Sequence, residues 1–463
     1  MLKVRTTHRF YRILTVITGL LLLISSVVIS SGQGVAHAAQ ARLQQRNGKI
    51  IVGYFPDWSI YGEGYLVKDL ATNGAAGEMT AINYAFANIS SNYQCQIGDS
   101  WADYQKPFTA AQAVNGQADT WNQPLAGNFN QLKELKALHP NLKLLISIGG
   151  WTWSSNFSAA AEPQNVSSFV SSCINLFIKG NLPNEPGAAA GLFDGIDIDW
   201  EYPDNPGNGN LYGPQDIQNF TNMLNQFRAQ LNTLGQQTGK HYLLTFAAPS
   251  GQDKYNNLQL GRDSRPVDWI NLMTYDMHGA WDATGPTDFD APLFAARNDP
   301  SPAPANSYSI NHAVLDYLMA GVPAHKIVIG IPFYGRGWTN VPNINHGLYQ
   351  SSSNMQPASS PLAPGEDNYY DLATLSGYTG YWDIHTMSYW AFNGTTFWNF
   401  DNPTSIKVKM AYVDLLGLGG AMVWSVDGDS SSGTLMHAVY SGLNGPTSHS
   451  ISAMLASHIH YGI

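Results

Sequence analysis

The sequence predicts an α/β fold: a (β/α)8 TIM barrel carrying an inserted subdomain between its seventh and eighth strands. Three observations predict it. Eight short apolar runs alternate with amphipathic helical patterns along the chain of 463 residues, as repeated strand–helix–strand units do. No Gly-rich dinucleotide fingerprint is present, which disfavours an open doubly wound sheet. The gap between the seventh and eighth runs is too long for one crossover helix, and residues about 339–400 within it are rich in Tyr, Trp and Gly.

The elements follow in order. Lys3, Arg5, Arg9 and Arg12 precede a mostly apolar stretch from Ile13 to Ile29, and Ala36-His37-Ala38 has the small-x-small form of a cleavage site. Residues 1–38 are therefore read as a signal peptide, which implies a secreted, extracellular protein with no membrane attachment after cleavage. An uncleaved anchor is the rival, since the apolar run is slightly long. Ser and Thr interruptions and the cleavage site favour the signal. Its removal takes four of the 23 basic residues and none of the 33 acidic ones, moving the formal charge from -10 to about -14. That balance argues against nucleic acid as a partner.

Residues 39–48 form a polar lead-in to a catalytic barrel over 49–442. The first run is Lys49–Phe55 and the second Thr80–Ala87. A long polar loop with Cys95, Trp101 and Trp121 leads to a helix bearing Phe129, Leu132, Leu135 and Leu138. The third run is Lys143–Ile148, ending at Gly149-Gly150-Trp151. A helical pattern of Val166, Phe169, Val170, Cys173, Ile174 and Phe177 stops near Gly180. The fourth run is acidic. The next helix places Ile217, Phe220, Leu224, Phe227, Leu231 and Leu234 on one face, with Gly235 read as its end. The fifth run is Tyr242–Ala247, the sixth Trp269–Tyr275, the seventh Lys326–Ile331 and the eighth Gly419–Ser425. Helices around Val314 and around Met410 precede the last two. Residues 443–463 read as a loose tail, and no accessory binding module is visible. Of the two cysteines, Cys173 reads as a small core residue of its helix, although a secreted context permits a disulfide with Cys95. No Cys/His metal spacing occurs, and neither a metal nor another cofactor is expected.

The fourth run, Phe193-Asp194-Gly195-Ile196-Asp197-Ile198-Asp199-Trp200-Glu201-Tyr202-Pro203, concentrates four acids in a chain poor in charge. Strand alternation puts Asp197, Asp199 and Glu201 on one face and Ile196, Ile198 and Trp200 on the other. Tandem carboxylates about 6–7 Å apart repel, so at least one is pushed toward protonation near neutral pH. A general acid is made this way. The competing explanation, a calcium loop, needs turn-forming spacing with Gly that this stretch lacks.

Reactive residues of such barrels gather at the C-terminal ends of strands. There the sequence offers Tyr54, Ser147, Gly150, Trp151, Met273, Tyr275, Asp276, Arg336 and Trp424. Aromatics around carboxylates, without a basic cluster, suit a sugar cleft. Each residue alone has a plainer explanation: Trp424 as core, Tyr275 and Asp276 as strand and helix caps, Gly149-Gly150 as a tight turn, Arg336 as an ion-pair partner. His278 reads as a supporting or loop residue rather than a base.

These residues resemble a known family. Phe193–Glu201 is similar to the DxxDxDxE signature of the family 18 glycoside hydrolases, the chitinases. Ser147-Ile148-Gly149-Gly150, Met273-Thr274-Tyr275-Asp276 and Gly330–Arg336 resemble that family's other motifs, and the likeness covers nearly all of residues 49–430. The long insertion is similar to the α+β insertion of bacterial members with deep clefts. The resemblance implies hydrolysis of β-1,4 bonds between N-acetylglucosamine units. It makes Glu201 the general acid and base, sets Asp199 to orient the N-acetyl group while sharing charge with Asp197, and directs Tyr275 to the acetamide carbonyl. Asp276 and Arg336 would bind sugar polar groups. Tyr54 and Ser147 would support the acids, and Trp424 would floor the subsite. Tyr202 and Trp281 join the substrate contacts, and Asp194 is left structural. Spacing alone would cast one carboxylate as nucleophile, whereas in this family the substrate's own acetamide attacks and configuration is retained. Chitin or its oligosaccharides would be the partner and a monomer the expected state. An endo-N-acetylglucosaminidase acting on glycans and a non-catalytic chitinase-like lectin are the rivals. The acid at position 201 disfavours the lectin.

Overall fold

The computed structural model describes residues 48–446 and 449–461; the proposed signal peptide lies outside them, as does all but the last residue of the lead-in. Eight parallel strands close a barrel: β1 (Ile50–Pro56), β2 (Ala81–Ile89), β3 (Lys143–Gly149), β4 (Gly195–Asp199), β5 (Leu243–Pro249), β6 (Trp269–Met273), β7 (Ile327–Pro332) and β8 (Gly420–Trp424). Each pairs with its neighbour in chain order, and β1 pairs with both β2 and β8 to close the ring. All eight match the apolar runs of the sequence. Such runs are apolar throughout because both faces of a barrel strand are covered, one by the interior and one by helices.

Those two faces give two apolar layers. The outward layer packs β-strand residues such as Ile146, Ile196 and Phe246 against Phe129, Phe169, Phe220 and Phe227 of helices α1 (Gly127–Leu138), α2 (Val166–Cys173) and α3 (Gln215–Thr238). The inward layer holds Val52, Tyr54, Leu145, Met273, Val328 and Met422. Helices α4 (Ile310–Met319), α5 (Pro403–Leu415) and α6 (Thr434–Asn444) continue the outer ring. Helix α3 runs past Gly235 and ends at Gly239, which takes the left-handed φ of 70° that a glycine cap supplies. Gly235 sits in the last turn with an ordinary helical backbone, so glycine content alone misplaced the end.

The insertion is an antiparallel sheet of six strands that starts immediately after β7, at Tyr334–Thr339. That is earlier than the expected boundary near 339. It packs its own core of Trp338, Leu348, Met355, Trp390, Phe392 and Phe397 against Phe289 from the loop after β6.

Two expectations are corrected. Cys173 is a buried core residue, but it also forms a disulfide with Cys95, with Cα atoms 4.9 Å apart. The two-residue strand Cys95–Gln96 folds back on β2 and brings Cys95 to the end of α2, a contact between residues 78 apart in sequence that helical periodicity cannot report. The terminal segment is not a loose tail. It carries helix α7 (His449–Tyr461), with Leu455 fully buried and His458 stacked on Phe294 at 5.4 Å. Among the described residues no helix is long and apolar enough to cross a membrane.

Candidate active site

The acidic strand points into the barrel. Asp197 sits at its centre, fully buried, where Tyr54 Oη and Ser147 Oγ each donate to Oδ2 at 2.7 Å. Thr245 Oγ1 and Asn271 Nδ2 donate to Oδ1 at 2.5 and 3.0 Å. The four donors come from β1, β3, β5 and β6, so this carboxyl is where neighbouring strands are joined across the interior. Burial pushes its pKa up, and the hydrogen bonds oppose that push without cancelling it.

Asp199, two residues on, has a different environment. Its pKa is raised well above the carboxylate range by burial first, then by the charges of Glu201 and Asp197. Its Oδ1 is buried without a hydrogen-bond partner among the described residues. Orphaned polar atoms of this kind are rare and costly in a folded protein, and this one belongs to the last residue of β4, at the strand's C-terminal end.

Glu201 lies just beyond the strand, where Ser154 Oγ accepts its backbone N–H at 3.0 Å and Asn210 donates to its carbonyl at 3.0 Å. Burial pushes its pKa up to about 7, Asp276 adds to the rise, and a hydrogen bond from Tyr202 partly offsets it. Lys254 Nζ lies 6.0 Å from the Tyr202 ring. The acids are therefore graded along five residues of chain that run off the end of β4: a bonded anchor, an acid with an orphaned oxygen, and an acid that titrates near neutrality.

Opposite them stands Asp276, in the left-handed region at φ 55°. Its N–H donates to Asp290 Oδ1 at 2.8 Å, and its Oδ1 accepts from Tyr334 Oη at 2.9 Å and from Arg336 Nε at 3.0 Å. Arg336 also bonds Glu366 at 2.6 Å and lies over the rings of Tyr334 and Trp281 at 5.0 and 5.2 Å. Tyr275 is buried between the two groups, its ring edge-on to Tyr334 and its Oη 3.7 Å from Met422 Sδ, a weak acceptor that leaves the hydroxyl available.

An aromatic wall completes the pocket. Trp424 packs at 5.4 Å from Tyr54, at 5.6 Å on Phe86 and at 6.3 Å from Trp58. Gly150, at φ 74°, backs this wall, because a Cβ there would stand 2.6 Å from the Phe86 ring. Met273 is buried in the same inner layer. The peptide bonds Ala85–Phe86, Glu201–Tyr202 and Trp424–Ser425 around the site are cis.

The structure thus links Tyr54, Ser147, Asp197, Asp199, Glu201, Tyr202, Met273, Tyr275, Asp276, Trp281, Arg336 and Trp424 through hydrogen bonds, ring contacts, shared packing and mutual charge effects. Trp151 is half-exposed, at 50%, on the short helix Gly150–Trp153, and it is Trp153 that packs on the inner layer. Asp194 lies elsewhere, paired with Lys136 at 2.7 Å and accepting the Leu144 N–H. Sequence reading passed over Thr245, Asn271, Phe86, Trp58 and Asp290. A signal existed for the first two: each is a polar residue inside an apolar strand, at the parity that faces inward.

The model of the family described as glycosyl hydrolases family 18 matches residues 50–429. Chitinase C of Streptomyces lividans is 40% identical over 388 residues, covering 83% of this chain and 58% of that protein. Chitinase 63 of Streptomyces plicatus is 39% identical, covering 85% of this chain and 60% of its own length. This chain therefore spans about three-fifths of these curated relatives. The solved catalytic domain of psychrophilic chitinase B from Arthrobacter TAD20 is 38% identical with a TM-score of 0.82, and the match covers 87% of this chain and 97% of that one.

Proposed function

The chain belongs to family 18 of the glycosyl hydrolases, and from that membership we propose that it is a secreted chitinase, hydrolysing β-1,4 bonds between N-acetylglucosamine units with retention of configuration. Glu201 is the general acid that protonates the glycosidic oxygen, then the base that activates water. Its pKa of about 7 suits both tasks near neutral pH. Asp199 receives the acetamido N–H, which aims the carbonyl oxygen at C1, and Tyr275 holds that carbonyl. The nucleophile is the substrate's acetamide, giving an oxazolinium ion. Asp197 fixes the strand and shares charge with Asp199. Asp276, Arg336 and Trp281 bind sugar hydroxyls and faces on one side, and Trp424 floors the subsite of the distorted sugar.

The observation that carries this reading is the buried Oδ1 of Asp199, without a hydrogen-bond partner among the described residues, two residues before the titrating acid. An enzyme whose second carboxylate were a nucleophile would leave the acetamide no part to play. Glu201→Gln is expected to lower hydrolysis of N-acetylglucosamine oligomers about 100- to 10,000-fold while preserving fold and oligomer binding. Substantial residual turnover would sink the assignment. Glucose oligomers of equal length, which lack the acetamide, are expected to stay uncut; comparable cleavage would overturn the substrate-assisted route. N-glycans in the same assay separate a chitinase from an endo-N-acetylglucosaminidase.

A further inference from the structure

His278 has no part in the reaction just described, yet it is buried beside two acids. It lies in the loop between β6 and α4, which also supplies Asp288 and Asp299, and the side chains of all three are at least nine-tenths buried. One donor atom from each falls within 4.8 Å of the other two. Its Nδ1 stands 3.8 Å from Asp288 Oδ2 and its Nε2 stands 4.0 Å from Asp299 Oδ2, too far for hydrogen bonds.

The orientation of each group is preset. Asp288 Oδ1 accepts the Phe289 N–H at 2.7 Å, and Asp299 Oδ1 accepts the Ser301 N–H at 2.7 Å. Each acid thereby turns its Oδ2 toward the ring, where Ser301 Oγ donates to Asp288 Oδ2 at 3.5 Å and the two acids share a hydrogen bond that an incoming ion would replace. The His278 ring bonds the Ala305 backbone carbonyl, which leaves its other nitrogen for a ligand. Backbone-bonded imidazoles and carboxylates of this kind are what metal sites use to fix their ligands.

A separate observation points the same way. Tyr349 comes from the insertion; its N–H donates to the Thr287 carbonyl at 3.0 Å, and its ring lies edge-on to Phe289 at 6.3 Å, so it flanks Asp288 on both sides in sequence. Its hydroxyl is buried without a hydrogen-bond partner among the described residues. Burial and then the charge of Asp288 hold that hydroxyl's pKa above its usual range. An unsatisfied hydroxyl under the charge of both clustered acids is the kind of group that an ion or its bound water would satisfy.

We propose that His278, Asp288 and Asp299 bind one divalent cation of the Zn2+ or Mn2+ class, pinning the loop after β6 beneath the insertion. One imidazole with two carboxylates suits these ions; Ca2+ and Mg2+ favour oxygen-only sets. Metal–ligand distances of about 2.0–2.2 Å place donor atoms roughly 3–4.4 Å apart, so the cluster needs to contract by only a few tenths of an ångström.

The test is calorimetric titration of the untagged chain with ZnCl2 and MnCl2 after stripping with EDTA, alongside thermal unfolding. One ion per chain is expected, and at free ion about 100 times Kd the folded-to-unfolded ratio rises about 100-fold. H278A and D299N are expected to lose that equivalent while melting in EDTA close to the parent. No uptake by the parent, or an equivalent undiminished in both variants, overturns the proposal. Anomalous diffraction from a Zn2+-soaked crystal of the parent decides the matter without any variant: an ion at the cluster supports it, and ions only elsewhere overturn it.

Discussion

At the residue scale the decisive contrast is between three acids at the end of β4. Asp197, Asp199 and Glu201 are the same chemistry three times over, and their surroundings separate them. Asp197 has four donors, Asp199 has an empty oxygen, and Glu201 sits beside Asp276 with a pKa of about 7. In the proposed reaction the first chemical step needs Glu201 protonated, so its rate is expected to fall as pH rises through about 7. Asp276 raises that pKa by its negative charge. Asp276→Asn removes the charge and leaves Arg336 less compensated, so the alkaline limb of the kcat/KM profile should move to lower pH, with kcat/KM reduced by roughly 10-fold or more from lost sugar contacts. A limb that stays in place or moves upward would contradict the arrangement. The shared face of Asp197 and Asp199 was legible in the sequence, whereas Glu201, read as the next step of the same alternation, lies beyond the strand's end at Asp199. Of the donors to Asp197, Tyr54 and Ser147 were expected from the resemblance, whereas Thr245 and Asn271 showed only as polar residues at inward parity, because their contact is made between strands far apart in sequence.

Among the elements, two pieces of the chain prove more firmly held than their sequences suggest. The loop after β2 is tied to α2 by Cys95–Cys173 across 78 residues. A crosslink of that span stabilises by about 4–5 kcal/mol in the chain-entropy account. Cys95→Ser, or reduction of the parent, is expected to lower unfolding free energy by roughly that amount, measured by denaturant titration. An unchanged midpoint would mean that the bridge does not form. Helix α7 is the second piece. Leu455 is fully buried, so Leu455→Ala should cost about 2–5 kcal/mol in the same measurement. A surface tail would show no effect. The sequence of this segment, with its histidines and small residues, lacked the wide apolar stripe by which α3 announced itself.

For the whole molecule the pattern is an interior crowded with acids. Glu201 and Asp57 are raised to about 7, and Asp263 and Asp427 to about 6, each chiefly by burial. Groups raised in the folded state hold protons that the unfolded chain releases between about pH 4 and 7, so stability falls as pH rises through that window. The melting temperature is expected to be higher at pH 5 than at pH 8, by several degrees, in a scan across buffers of equal ionic strength. A Tm that increases over that range would show that these carboxyls are ionised in the native state.

The sequence by itself determined the eight strands, their order, the presence of an insertion and the acidic strand at the centre. These follow from local patterns: alternation, helical periodicity and the cost of burying unpaired charge. The resemblance of four motifs supplied the roles. Only the tertiary structure decided the disulfide, the docked terminal helix, the four-donor cage around Asp197, the aromatic wall of Trp58 and Phe86, and the cluster of His278 with Asp288 and Asp299. Each of those joins residues far apart in the chain, and a pattern read over neighbouring positions has no access to contacts that barrel closure and packing create.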